Sequence, residues 1–254
     1  MRAFHAGCVF ALTVVSAAGA PTPPPRPAEV TAPALAPPMP PPRPADLSPS
    51  NPPPELAPTP MPAPLAEHPE DPATCDSLLA SGTVEARRVA PIMGPNGCGI
   101  AAPLSLDAVI LADKRRIPIE PHPVLRCDFA TEAAGWIAGD LIPSLEAKAG
   151  RVVRLAGVGG YECRKRNRQS GGQLSEHARG NAIDLTSAQF ADGHVFLLAS
   201  RANDLDLASH LRASACRRFS TVLGPGADPE HESHVHLDLE PRRDGNKICE
   251  WELR

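Results

Sequence analysis

Aromatic side chains are scarce in this 254-residue chain, which has six phenylalanines, two tryptophans and one tyrosine. Any core must therefore rest on Ala, Val, Leu and Ile. A large excess of charge of one sign is lacking as well. Lys and Arg number 25 against 29 Asp and Glu, a formal net charge of −4. That balance excludes the broad basic footprint of a protein that binds nucleic acid or an anionic membrane. No apolar run reaches the ~20 residues that a membrane-spanning helix needs. No two cysteines are spaced as CxxC, which argues against a cysteine-based zinc ribbon and against thioredoxin-type redox chemistry.

Proline is abundant and unevenly spread, with 22 of the 32 prolines falling between Pro21 and Pro72. Runs such as Pro23-Pro24-Pro25 and Pro40-Pro41-Pro42 remove backbone donors and fix φ, so residues 21–73 are expected to form an extended or disordered spacer. At ~3.1 Å per residue such a spacer reaches on the order of 160 Å. Ahead of it, residues 1–20 read as an export signal. Arg2 supplies the positive end, Cys8 to Val15 the apolar stretch, and Ser16 to Ala20 a cleavage zone of small residues. The expected location is periplasmic or extracellular, with membrane contact only through an uncleaved signal. Residues 74–254 remain as one domain of ordinary size.

Six cysteines fall within that domain: Cys75, Cys98, Cys127, Cys163, Cys216 and Cys249. An even count in an exported protein predicts disulfides, and spacing alone leaves their pairing open. Leu104–Ala112 reads as a strand. Phe129, Ala133, Trp136, Ile137, Leu141 and Leu145 recur at helical spacing, with Pro143 expected to kink or divide the helix and Gly150 to stop it. Val152–Val158 reads as a strand, and Leu207, Leu211 and Ala215 mark a second helix. Short strands are expected at Ala182–Leu185, His194–Leu198, Ser220–Leu223 and His234–Leu239, with a turn at Gly224–Pro229. Helices and strands mix without regular βαβ alternation, which predicts an α+β fold.

Two segments carry chemistry. In Ser175–Asp184, His177 and Asp184 stand seven residues apart around Gly180 and Ala182, small residues that let the chain turn tightly between two donors. In His231–Leu239, residues two apart share a face of a strand. His234, His236 and Asp238 then point one way, while Val235, Leu237 and Leu239 point into the core. A solvated polar face would explain the second segment alone. Both segments together point to a metal or catalytic site. Lys165, Arg166 and Arg168 read as a solvated charge run, and His68, His122, His194 and His210 as exposed or structural.

These segments resemble the SxHxxGxAxD and HxH signatures of the zinc peptidases that include D-alanyl-D-alanine carboxypeptidases, lysostaphin-type endopeptidases and the hedgehog fold. Together with Tyr161-Glu162-Cys163-Arg164, Phe219–Gly226 and the cysteine at Cys98-Gly99, they are more closely similar to the bacterial extensin-like C-terminal domain family. The resemblance implies a zinc domain with a small antiparallel sheet flanked by helices. It makes His177, Asp184 and His236 the zinc ligands, and Arg164 the side chain that grips a substrate carboxylate. Two imidazoles and one carboxylate leave zinc an open fourth position for water, whose pKa the ion can bring towards ~7. The function implied is hydrolysis of peptide bonds in peptidoglycan. Where that family usually has Asp, this chain has Ser233, which cannot serve as a base. His234, His231 or Glu232 is left to carry the proton, or the domain is a weakly active, zinc-stabilised wall-binding module.

Overall fold

The structure, a computed structural model, describes residues 72–169 and 171–254. The signal expected over 1–20 and all but the last two residues of the proline-rich spacer lie outside them. Helix α1 (Pro72–Ala80) already includes those last two residues. Next come β1 (Val84–Arg88), a small hairpin of β2 (Ile92–Met93) and β3 (Gly99–Ile100), then β4 (Pro103–Ile110), β5 (Arg116–Glu120) and β6 (Val124–Arg126).

The helical stretch follows as α2 (Cys127–Trp136), a π turn over Ile137–Leu141, and α3 (Ile142–Ala149). Pro143 divides it as its chemistry demands. The backbone widens until Ile142 N–H donates to Ile137 O, and Pro143 falls in the first turn of α3, where a missing N–H costs little. Phe129, Trp136, Ile137, Leu141 and Leu145 are fully buried along one face. Trp136 Nε1–H donates to Ser214 Oγ at 2.9 Å, so the one polar atom of the indole is satisfied.

After β7 (Val152–Ala156) a long loop leads to β8 (Ala182–Leu185), β9 (Ser187–Phe190) and β10 (Val195–Leu197). Helix α4 (Leu205–Arg218) is capped by Asp204, whose side chain accepts from Leu207 N–H at 2.9 Å, and it ends on Arg217 and Arg218, as the helix dipole favours. Strands β11 (Thr221–Leu223), β12 (Val235–Asp238) and β13 (Ile248–Glu250) complete the chain.

The fold is mixed α+β with several sheets. A seven-stranded sheet runs β1-β4-β5-β7-β9-β10, with β6 also paired to β4, and a four-stranded sheet runs β13-β11-β12-β8. The sequence led us to expect one small antiparallel sheet. The sheets are larger than that, and β5–β7 and β11–β13 pair in parallel. The six cysteines are paired. Cys75–Cys127 ties α1 to α2, Cys98–Cys163 ties the β2–β3 hairpin to the loop after β7, and Cys216–Cys249 ties α4 to β13. Among the described residues no helix is long and apolar enough to cross a membrane.

Candidate metal centre

The register of the four-stranded sheet builds the centre. Strand β12 pairs antiparallel with β8 so that His236 lies directly opposite Asp184. On its other side, Asp184 exchanges backbone hydrogen bonds with Gly159, both at 3.0 Å. The third donor, His177, rides on a short 3₁₀ turn, Glu176–Arg179, whose first residue is preceded by the capping Ser175. Gly180 ends this turn with φ +63°, and a Cβ there would lie 2.4 Å from Ile100 Cδ1. Only glycine fits both the left-handed turn and that close approach. The small residue between His177 and Asp184 is thus needed for packing as well as for turning.

Three donor atoms converge. His177 Nε2 lies 3.1 Å from Asp184 Oδ1 and 3.1 Å from His236 Nδ1, and His236 Nδ1 lies 2.9 Å from Asp184 Oδ1. The outer ring nitrogens are both committed. His177 Nδ1–H donates to Gly160 O at 2.7 Å, and His236 Nε2–H donates to Asp238 Oδ2 at 3.1 Å. A carbonyl and a carboxylate can only accept, so in the neutral tautomers both inner nitrogens present lone pairs to each other and to a carboxylate oxygen. Three facing lone pairs need a cation or a trapped proton between them. Ligands ~2.0–2.1 Å from a tetrahedral metal stand roughly 3.3 Å apart, close to what is seen. His177, Asp184 and His236 therefore form a cluster able to coordinate a divalent metal, with Gly160 and Asp238 orienting its two imidazoles.

Electrostatics agree with this. Burial works against charge on His236, yet hydrogen bonds to Asp184 and Asp238 outweigh it and raise its pKa to about 9. Burial also works against the Asp184 carboxylate, and hydrogen bonds from His177 and His236 overcome it, holding the group well below the usual carboxylate range. Asp238 is lowered in the same way, burial opposing and the bond from His236 prevailing. Without a metal, the cluster holds a proton in the cation's place.

The other residues singled out in the sequence are not all gathered here. His234 comes just before β12, with Nε2 3.5 Å from Asp184 Oδ1, and burial lowers its pKa against the pull of Asp184. His231 is buried, its ring 5.5 Å from that of His236 and 5.3 Å from that of His234. Its Nδ1 lies 2.8 Å from Asp228 Oδ1. Glu232 does not reach the cluster. It points outward to Arg201 and accepts from Gly226 N–H at 2.9 Å, and this backbone bond, with Arg201 beside it, lowers its pKa. Arg164 gives its Nε–H to Glu162 at 2.9 Å and lines a cavity of about 240 Å³ together with His231 and His236. A second cavity, about 380 Å³, opens on the His177 and Asp184 side, walled by Val158, Gly159, Gly160 and Tyr161.

Asp228 escaped the reading of the sequence, although Asp228-Pro229-Glu230-His231 is a capping pattern that places a carboxylate beside a histidine three residues on. The Asp228 side chain accepts from Glu230 N–H at 2.9 Å as it holds His231.

A buried His–Asp–His donor set at a cross-strand pair of an α+β fold defines a class of candidate metal-binding domains. The model of the family described as extensin-like protein C-terminus matches residues 73–250, and the chain belongs to that family. No curated protein and no solved structure matches it.

Proposed function

We propose that this extensin-like domain is a zinc-dependent, peptidase-like hydrolase that acts outside the cytoplasm on peptide bonds of peptidoglycan. The observation that carries the reading is the convergence of three lone-pair donors at 2.9–3.1 Å, each outer ring nitrogen already tied back. His177, Asp184 and His236 would hold the ion, and two nitrogens with one oxygen suit zinc. When bound, such an ion supplies Lewis-acid chemistry, polarising a carbonyl and acidifying water. The substrate class rests on the likeness of the SxHxxGxAxD and HxH motifs to those of wall peptidases, and so does the kinship with the hedgehog and D-alanyl-D-alanine peptidase folds.

The chain's own residues supply the proton traffic. Ser233 offers no base, and Glu232 is occupied by Arg201. His231 takes the role: Asp228 fixes its Nδ1, which leaves Nε2 to accept a proton from water and return it to the leaving amine. His234, beside Asp184, steadies charge that develops on the attacked carbonyl. Arg164 receives a substrate carboxylate in the cavity on the His236 side.

A second reading, a zinc-stabilised wall-binding module, is favoured by Ser233. Metal analysis and mass spectrometry of digested peptidoglycan separate the two. The hydrolase reading expects one zinc per chain and released peptide fragments, with release lost in His231→Ala and zinc retained. Wild-type protein that binds wall material and releases nothing would establish the second reading.

A further inference from the structure

The cavity on the His236 side has an uneven distribution of charge. Arg164, on its wall, reaches Glu162 of the neighbouring cavity through Nε alone, since Arg168 already takes that carboxylate with Nη1 and Nη2 at 2.6 and 3.0 Å. Glu240 is likewise shared, by Arg166 Nη2 and by Arg242 Nη2. The Arg242 contact, 2.6 Å to Glu240 Oε2, is ionic, since that oxygen accepts no aligned hydrogen bond. Within this cavity Glu240 thus carries two guanidiniums, and that group of three has one positive charge in excess.

Donors are in excess too. A guanidinium has five N–H groups. Among the described residues, Arg166 gives one nitrogen to Glu240, while Arg242 gives one to Glu240 and Thr221 Oγ1 and has a buried Nε with no acceptor. The acids deeper in the cavity are taken: Asp238 by His236, Asp228 by His231 and Glu176 by Asn181. Glu250, at the exposed rim on β13, is the lining carboxylate without a partner among the described residues.

We propose that Arg166 and Arg242, sharing Glu240, form a receptor for a second carboxylate of the substrate, distinct from the one assigned to Arg164. The receptor is wired to the centre. Arg242 donates to Thr221 at 2.8 Å, Thr221 stands opposite Asp238 across β11 and β12, and Asp238 orients His236. Asn167, next to Arg166, donates to Asp228 at 3.2 Å, beside the proposed base. Planar forks of this kind pair with a carboxylate through two parallel bonds. The substrate segment in this cavity therefore carries a carboxylate that meets this pair, and the charge run read from sequence as a solvated face has a binding member in Arg166.

The inference rests on the hydrolase reading, and the test separates the two. Zinc-loaded full-length protein is titrated calorimetrically with a wall stem peptide in three forms: unmodified, with its C-terminal carboxylate amidated, and with its internal acidic group amidated. Wild-type protein is expected to bind the unmodified peptide about tenfold more tightly than each amidated one. Arg166→Gln, at a half-exposed position, and Arg242→Gln should abolish one of these preferences while leaving zinc content and the other preference intact. Arg242→Lys should restore only part. The form whose penalty disappears tells whether a terminal or an internal carboxylate is bound. Wild-type protein indifferent to both amidations, or Arg166 and Arg242 variants with both preferences unchanged, would overturn the receptor. Wild-type protein that binds none of the three peptides would instead overturn the wall-peptide reading on which it rests.

Discussion

In the seven-stranded sheet, β4 buries Leu104, Leu106, Ala108 and Val109 completely, beneath helices that add Phe129, Trp136 and Leu145. In the four-stranded sheet, β12 is buried on both faces, and only one of them is apolar. Val235 and Leu237 face the core, while His236 and Asp238 are turned to the opposite side and are nearly as inaccessible. The first sheet gains stability from burial. The second spends part of that gain on enclosing imidazoles and carboxylates, which is tolerable because His236 bonds to Asp184 and Asp238, and Asp238 also accepts from Glu240 N–H. Frame and site therefore occupy different sheets, and they should respond differently to mutation.

The strongest test of that division is removal of a donor. His177→Ala, Asp184→Ala or His236→Ala should each weaken metal binding by more than ~100-fold, beyond the effect of removing an orienting partner, with the far-ultraviolet circular dichroism of the domain retained. If any of the three leaves metal content unchanged by elemental analysis, the ligand set is wrong. The reciprocal change is Phe129→Ala, in the frame. It should cost ~3–5 kcal/mol in denaturant unfolding, with one metal still bound per folded chain. Loss of metal in proportion to lost stability would show that the two sheets are not separable.

A smaller effect sharpens the comparison further. The pKa of His236 is raised to about 9, so its contribution to the metal-free protein is complete below the ordinary imidazole value of ~6.5 and fades as pH rises through about 9. The melting temperature of metal-free protein should fall across that window, and the metal-loaded protein should not follow. Metal affinity should rise over the same range as the competing proton leaves. Asp238→Asn should narrow the window, because Asp238 helps to hold that proton. An unchanged melting profile in Asp238→Asn would remove Asp238 from this role.

Much of the centre could be read from sequence because its donors lie in two short segments with recognisable periods. The alternation of His236 and Asp238 with Val235 and Leu237 was sound, since β12 is a true strand. Glu232 was in contention only as a neighbour of Ser233 that a loop could present, and the chain instead turns it outward to Arg201. The strand begins at Val235 and Pro229–His231 is a 3₁₀ turn, so Glu232 does lie on a loop, one that faces away from the cluster. Strands such as β1, Val-Glu-Ala-Arg-Arg, and β5, Arg-Ile-Pro-Ile-Glu, are short and polar on one side. Nothing local sets them apart from loops, and their pairing is decided by the core they cover. The disulfide partners were hidden for the same reason, since proximity across 33 to 65 residues is a property of the whole fold.

Considered as a network of crosslinks, the three disulfides leave a gap. Their loops enclose residues 75–127, 98–163 and 216–249, so among the described residues the stretch 164–215 belongs to none of them. His177 and Asp184 lie in that stretch, and His236 lies inside the last loop. An ion held by all three would join the unstapled segment to the stapled one and interlace with the Cys216–Cys249 ring. It would act as a fourth tie, reversible where the others are covalent, and a chelator would cut the mesh within a stretch that sulfur does not hold.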